Sequence, residues 1–141
     1  MSKASDLARL ITSGSTAVHG EAGVTASGST GLTTNLQQGL AKVWADVDMT
    51  GTATLDDSFN VTGITDNGTG DVTVTIANDM SNATYACSSM CGAVSSFDDE
   101  GSAHIISRAT GTARFGITDV HNAADAVDID PCMFIIHGDL A

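Results

Sequence analysis

The chain has 141 residues and a formal net charge of −12, from 17 acidic and only five basic side chains. This length suits one domain with short extensions. Nucleic acids and anionic membranes are bound through clustered lysines and arginines, which this chain lacks, so neither is an expected partner. No apolar run approaches the length that a membrane-spanning helix requires.

Residues 2–12 are predicted to form a short helix, because their apolar residues recur on one stripe and Ser2 is available as a cap. A helix this short is marginal alone in water, so it must dock onto its own domain, sister copies or a larger assembly. We favour attachment to an assembly. The attachment residues would be the large apolar residues of the stripe, Leu7, Leu10 and Ile11.

The next segment, residues 13–35, is rich in glycine, serine and threonine and has no hydrophobic periodicity. Ordering a backbone costs about 1–2 kcal/mol per residue, and this segment has little apolar surface to offset that cost. It is predicted to be a flexible tether or an extended arm that orders against neighbours. We therefore divide the chain into an attachment region, residues 1–38, and a β domain, residues 39–141.

Strand patterns begin near residue 39. In Ala41–Met49 small or apolar residues alternate with larger or polar ones, which predicts a strand with one buried face. Phe59 and Val61 are taken to repeat this alternation. Val72–Ile76 repeats it again, with threonines on the outer side.

A chain reversal is predicted at the Asn67-Gly68 step, because both residue types tolerate positive φ. Further strands are expected at Thr84–Met90, His104–Arg108, Thr112–Thr118, Val127–Asp130 and Cys132–His137. Short strands with turns about every 8–12 residues are typical of sandwiches. The predicted fold is mainly β, an antiparallel sandwich or jelly-roll-like domain that follows a short helix and an extended arm.

The run from Leu40 to Ala86 resembles a module of tailed-phage virion proteins, particularly those of marine phages. Its most specific part is SFNV followed by ITDNGTGD, at Ser58–Val61 and Ile64–Asp71. The run departs from the usual pattern at Asp48-Met49 and at Val72. The stretch after Ala86 carries no motif of this family.

The resemblance implies a homotrimeric β domain in a head fibre, tail fibre or minor structural protein. A chain of 141 residues leaves no room for a long shaft. We therefore expect a capsid decoration or head-fibre protein on the outer surface of the virion, assembled in the host cytoplasm. Its partners would be sister copies and the major capsid protein or other virion proteins. The alternative is a short tail fibre that recognises host surface glycans.

Two aromatic residues and one loop are the candidate binding features. Trp44 and Phe59 are expected to be core or interface anchors, although Trp44 could instead stack on a sugar ring. The loop with Phe97, Asp98 and Asp99 is a possible ligand loop for the tail-fibre hypothesis.

No catalytic, metal or cofactor site is predicted. Cys87, Cys91 and Cys132 are odd in number and are expected to be thiols rather than a disulfide framework, although a Cys3His site with His137 is conceivable. Acidic groups near Asp99 and Asp130 are expected to be solvated loops rather than calcium ligands. A small hydrolase or metal enzyme is a third hypothesis, but no residue constellation favours it.

Overall fold

The computed structural model describes residues 23–25, 33–35, 40–92, 101–120 and 125–141. Two predicted features, the helix over residues 2–12 and the loop around Phe97, lie outside these ranges.

Every regular element among the described residues is a β-strand, and the described ranges contain no helix. The strands are β1 (Gly23–Thr25), β2 (Thr33–Asn35), β3 (Ala41–Asp48), β4 (Thr54–Phe59), β5 (Val61–Gly68), β6 (Asp71–Ile76), β7 (Ala86–Cys91), β8 (Gly101–Ala109), β9 (Thr112–Asp119) and β10 (Cys132–His137).

The chain divides into two units between Leu40 and Ala41. In the first unit β1 and β2 pair as a small antiparallel sheet, with Gly23 opposite Asn35. The predicted tether or extended arm over residues 13–35 therefore contains two short, paired strands. The segment shows no hydrophobic periodicity, but its threonines and its valine are residue types that favour strands.

The second unit contains two four-stranded antiparallel sheets, which we call the β3 sheet (order β4-β3-β10-β7) and the β6 sheet (order β5-β6-β9-β8). Buried residues of both sheets form one hydrophobic cluster. At its centre the rings of Phe115 in β9 and Phe134 in β10 are stacked, with centroids 4.1 Å apart. The predicted mainly β fold with two antiparallel sheets is confirmed.

The strand order differs from a jelly roll. In a jelly roll most successive strands alternate between the two sheets, whereas here the hairpins β3-β4, β5-β6 and β8-β9 each stay within one sheet. The orders β5-β6-β9-β8 and β7-β10-β3 correspond to the ABED and CFG sheets of an immunoglobulin-type sandwich. In this chain the strand at the G position, β3, precedes the others, and β4 is added at its edge.

The predicted alternation is confirmed in the central strands, because one face of each strand lines the core. The inward residues of β3 and β6 are at most 4% exposed: Val43, Ala45, Val47, Val72, Val74 and Ile76. The predicted strand Val127–Asp130 is wrong, since this segment is an irregular connection. Its polar groups close loops instead, as when the Gly70 N–H donates to Asp128 Oδ1 at 2.7 Å.

Asn60 is the corner at which the chain leaves the β3 sheet and enters the β6 sheet. Its φ of 59° lies in the left-handed region, which asparagine tolerates better than most residues. Its side-chain oxygen accepts the N–H of Asn78 at 2.8 Å, and its amide donates to the carbonyl of Lys42 at 3.1 Å. Phe59 and Val61 therefore belong to different sheets, and their predicted alternation in one strand is wrong.

The reversal between β5 and β6 lies at Thr69-Gly70, two residues later than predicted. Gly68 pairs directly with Asp71, and Gly68 and Gly70 have positive φ values of 122° and 65°. A Cβ on Gly70 would lie 2.4 Å from the carbonyl oxygen of Ile117, so only glycine fits there. The Asn67 amide instead donates to Thr73 Oγ1 at 2.9 Å.

We predict that Asn60→Ala lowers the free energy of unfolding by about 1–3 kcal/mol, because it removes the side-chain hydrogen bonds to Lys42 and Asn78 and strains a left-handed residue. Asn60→Gly loses the same hydrogen bonds but relieves the strain, so it should cost about 1 kcal/mol less. Urea unfolding of the three proteins measures both differences. Equal stability of the alanine and glycine variants would contradict the role of the left-handed corner.

Candidate functional site

The outward surface of the β3 sheet carries a continuous group of large apolar side chains. In one row across the sheet Phe59 lies opposite Trp44, and Trp44 lies opposite Ile135. In the next row Met133 lies opposite Met90. We call these five residues the apolar face.

The apolar face is accessible to solvent. Met90 is 65% exposed and Phe59 54%, whereas Ile135 and Met133 on the central strand are 39% and 36% exposed. Two open grooves flank β10, one against β7 with a volume of about 160 Å³ and one against Trp44 with about 200 Å³. Small-molecule sites usually measure 300–1,000 Å³, so these grooves suit protruding side chains better than a bound metabolite.

A group of carboxylates borders the apolar face, and we call it the acidic end: Asp46, Asp48, Asp56, Asp57 and Asp130. Asp46 in β3 lies directly opposite Asp57 in β4, a like-charge pair that destabilises a sheet. Asp46 Oδ1 is buried against the groove beside Trp44 and has no hydrogen-bond partner among the described residues.

The pKa of Asp130 reflects the crowding of carboxylates at the acidic end. Desolvation raises the pKa of Asp130, and the negative charges of Asp48, Asp56 and Asp46 raise it further. The pKa of Asp48 is lowered, because the Thr50 hydroxyl and backbone N–H both donate to its carboxylate. Local backbone N–H groups therefore donate to two of these carboxylates, that of Asp48 and that of Asp57.

Both arginines of the second unit are engaged elsewhere. Arg108 donates to the carbonyl of Tyr85, and Arg114 forms an ion pair with Asp71 on the outer surface of the β6 sheet. Hydrogen bonds from Arg114 are the main reason that the pKa of Asp71 is lowered. The Asn67 amide also donates to Asp71, so the polar groups on this surface satisfy one another.

The sequence-predicted residues fall into three groups. The structure brings Trp44 and Phe59 together as a cross-strand pair outside the buried core, on the apolar face. Two sets lie outside the described residues, the attachment residues Leu7, Leu10 and Ile11 and the loop residues Phe97, Asp98 and Asp99.

Sequence reasoning missed Met90, Met133 and Ile135 as members of the face. The sequence of β10, CMFIIH, contains a signal for them, because it is apolar both at the positions that face the core and at the positions that face outward. Near-continuous apolar strands are typical of positions covered on both sides of a sheet. Phe134 and Ile136 fill the inner side of β10, so Met133 and Ile135 mark its outer side as a second contact surface.

The alternative Cys3His site is wrong. Cys132 lies opposite Cys91, but Cys87 lies opposite Ile136 and His137 lies beyond it. The Cys91–Cys132 pair and the Cys87–Ile136 pair are four positions apart along the strands, a distance of roughly 13 Å. In the part of the chain that the structure describes, no three His, Cys, Asp or Glu side chains are placed to hold a metal ion. Nor does that part include a helix long and apolar enough to cross a membrane.

No protein-family model, curated protein or solved structure matches this chain.

We predict that Asp57→Asn raises the free energy of unfolding by about 0.5 kcal/mol at low salt, because it removes the repulsion across the Asp46 pair. The gain should shrink at high ionic strength, where surface charges are screened. Asp125→Asn, an exposed aspartate away from this pair, is the matched control. An equal gain in both variants would point to net charge rather than to the cross-strand pair.

Proposed function

We propose that this protein is a structural component of a bacteriophage virion, a homotrimeric capsid decoration or head-fibre protein on the outer surface of the particle. The observation that carries the proposal is the apolar face, since a small sandwich that exposes Phe59, Met90 and Ile135 together has a surface suited to assembly. Scattered apolar side chains would not need this explanation.

The resemblance of the Leu40–Ala86 run supports the same proposal. Its specific residues occupy places where the fold has strict backbone requirements. The SFNV segment contains the corner residue Asn60, and the ITDNGTGD segment contains the tight turn at Gly70. A shared sequence at these places favours a shared β architecture, and the resemblance implies a trimer of such domains.

In the proposed trimer, sister copies cover the apolar face. Ile135 and Met133 on the central strand would lie at the middle of the contact with Asp46 beside Met133, whereas the other carboxylates of the acidic end would lie towards its rim. Like charges at a rim are screened by salt, whereas the same charges at a buried centre would oppose association. The N-terminal residues Leu7, Leu10 and Ile11 would attach the trimer to the major capsid protein or another virion protein.

The second candidate function is a short tail fibre that binds host surface glycans. The observation in its favour is the outward aromatic pair of the half-buried Trp44 and the exposed Phe59, because aromatic rings on the surface of a sheet can stack against sugar rings. In this case the apolar face would be the receptor site and not a contact between copies.

We expect the protein to be present in purified virions of the source phage, with copies distributed over the capsid. Mass spectrometry of the virions and immunogold labelling with antibodies against the purified protein measure this. Gold confined to the tail would favour the second candidate. Absence from the particle would contradict both.

We predict that the purified protein has about three times the 14.3 kDa chain mass in sedimentation velocity, and that the double variant Met133→Lys with Ile135→Lys is a monomer. Lysines on the outer surface leave the core intact but would be desolvated in the contact. Ile106→Lys, at a 46% exposed site on β8, is the matched control and should remain a trimer.

A double variant that is still trimeric would show that the copies meet elsewhere. A wild-type monomer whose Trp44 fluorescence responds to host glycans would favour the second candidate. Trp44 is the single tryptophan of the chain, so its emission reports on the apolar face directly.

A further inference from the structure

Two of the three cysteines meet inside the sandwich. Cys91 ends β7 and Cys132 begins β10, and the antiparallel register places them directly opposite each other. Both side chains are on the inward side of the β3 sheet, and their sulfur atoms are 3.3 Å apart. Cys132 is fully buried, whereas Cys91 is partly exposed near the edge of the sheet.

This arrangement suits a covalent bond. Directly opposite residues of an antiparallel pair have Cα atoms about 4.5–5.5 Å apart, within the range that a disulfide spans. The sulfur atoms need to approach by only about 1.3 Å to reach the S–S bond length. Side-chain rotation at the partly exposed Cys91 can supply that movement, since its strand is at the edge of the sheet.

We propose that Cys91 and Cys132 are a modification site, oxidised to a cross-strand disulfide by a low-molecular-weight disulfide such as oxidised glutathione. The Cys91 thiolate attacks one sulfur of the oxidant, forms a mixed disulfide and releases the first thiol. Cys132 then loses its proton and attacks the Cys91 sulfur, which releases the second thiol. Two cysteine thiols are oxidised and one oxidant disulfide is reduced to two thiols.

The surroundings indicate which sulfur reacts first. The Cys132 thiol donates to the Cys91 sulfur, which lowers the pKa of Cys91 and raises that of Cys132. Burial and the negative charges of Asp130 and Asp128 raise the pKa of Cys132 further. The more exposed sulfur is therefore also the one that ionises more readily, as the attacking thiol must.

Cys87 is left out of this chemistry. It lies opposite Ile136, four residues along β7 from Cys91, and desolvation raises the pKa of its thiol. The bond would join the edge strand β7 to the central strand β10, directly beneath Met90 and Met133 of the apolar face. It would also close a long loop, which restricts the unfolded chain and stabilises the folded one.

This inference goes beyond the proposed function and does not require it. A protein folded in a reducing cytoplasm would carry both thiols, and the bond would form after exposure to an oxidising medium. The odd cysteine count, which argued against a disulfide framework, is compatible with one pair and one remaining thiol.

The test incubates the full-length protein with oxidised glutathione and blocks residual thiols with N-ethylmaleimide. We expect intact mass spectrometry to show the loss of two hydrogen atoms, and the thiol count to fall from three to one. Peptide mapping should join Cys91 to Cys132 and find the blocking group on Cys87. The melting temperature should rise by roughly 10 °C and return to its starting value with dithiothreitol.

Cys87→Ser is the matched control and should form the same bond with the same thermal shift. Cys91→Ser, a change at the partly exposed position, should fold but show neither the cross-link nor the shift. The proposal is overturned if all three thiols persist, if glutathione remains attached to Cys91, or if the cross-link includes Cys87.

Discussion

The structure of the second unit depends on the burial of one face of each sheet against the other. Phe115 and Phe134 stack at its centre, and the alternating valines of β3 and β6 surround them. Among the described residues this core contains no buried charged or polar side chain, so its stability comes from apolar burial and backbone pairing. This shared core fixes which side chains of each sheet point outward.

The two outer surfaces differ in kind. On the β6 sheet the polar groups satisfy one another, with Arg114 paired to Asp71 and Asn67 bridging to Thr73. On the β3 sheet the apolar face lies beside carboxylates without an arginine partner. A surface that satisfies its own polar groups gains little from association, whereas an exposed apolar one gains by being covered. This asymmetry is the physical basis of the proposed assembly role.

Strand β10 of the β3 sheet contributes to the core, to the apolar face and to the cysteine pair. Strand β10 presents Phe134 and Ile136 to the core and Met133 and Ile135 to the outside, and its first residue, Cys132, lies against Cys91. The proposed disulfide would tie the edge strand β7 to this central strand. Because edge strands are held on one side only, such a bond would restrain the edge strand that carries Met90 of the apolar face.

The sequence by itself determined the fold class and the orientation of the central strands, because a period of two fixes which side of a strand is apolar. It did not determine that Phe59 and Val61 belong to different sheets, since a left-handed Asn60 leaves no trace in hydrophobic periodicity. Local preference placed a reversal at Asn67-Gly68, whereas the turn lies two residues later, where Gly70 approaches Ile117 closely. The apolar face and the Cys91–Cys132 pair were decided only by the tertiary structure. Their members come from strands far apart in the chain, and only register between strands brings them together.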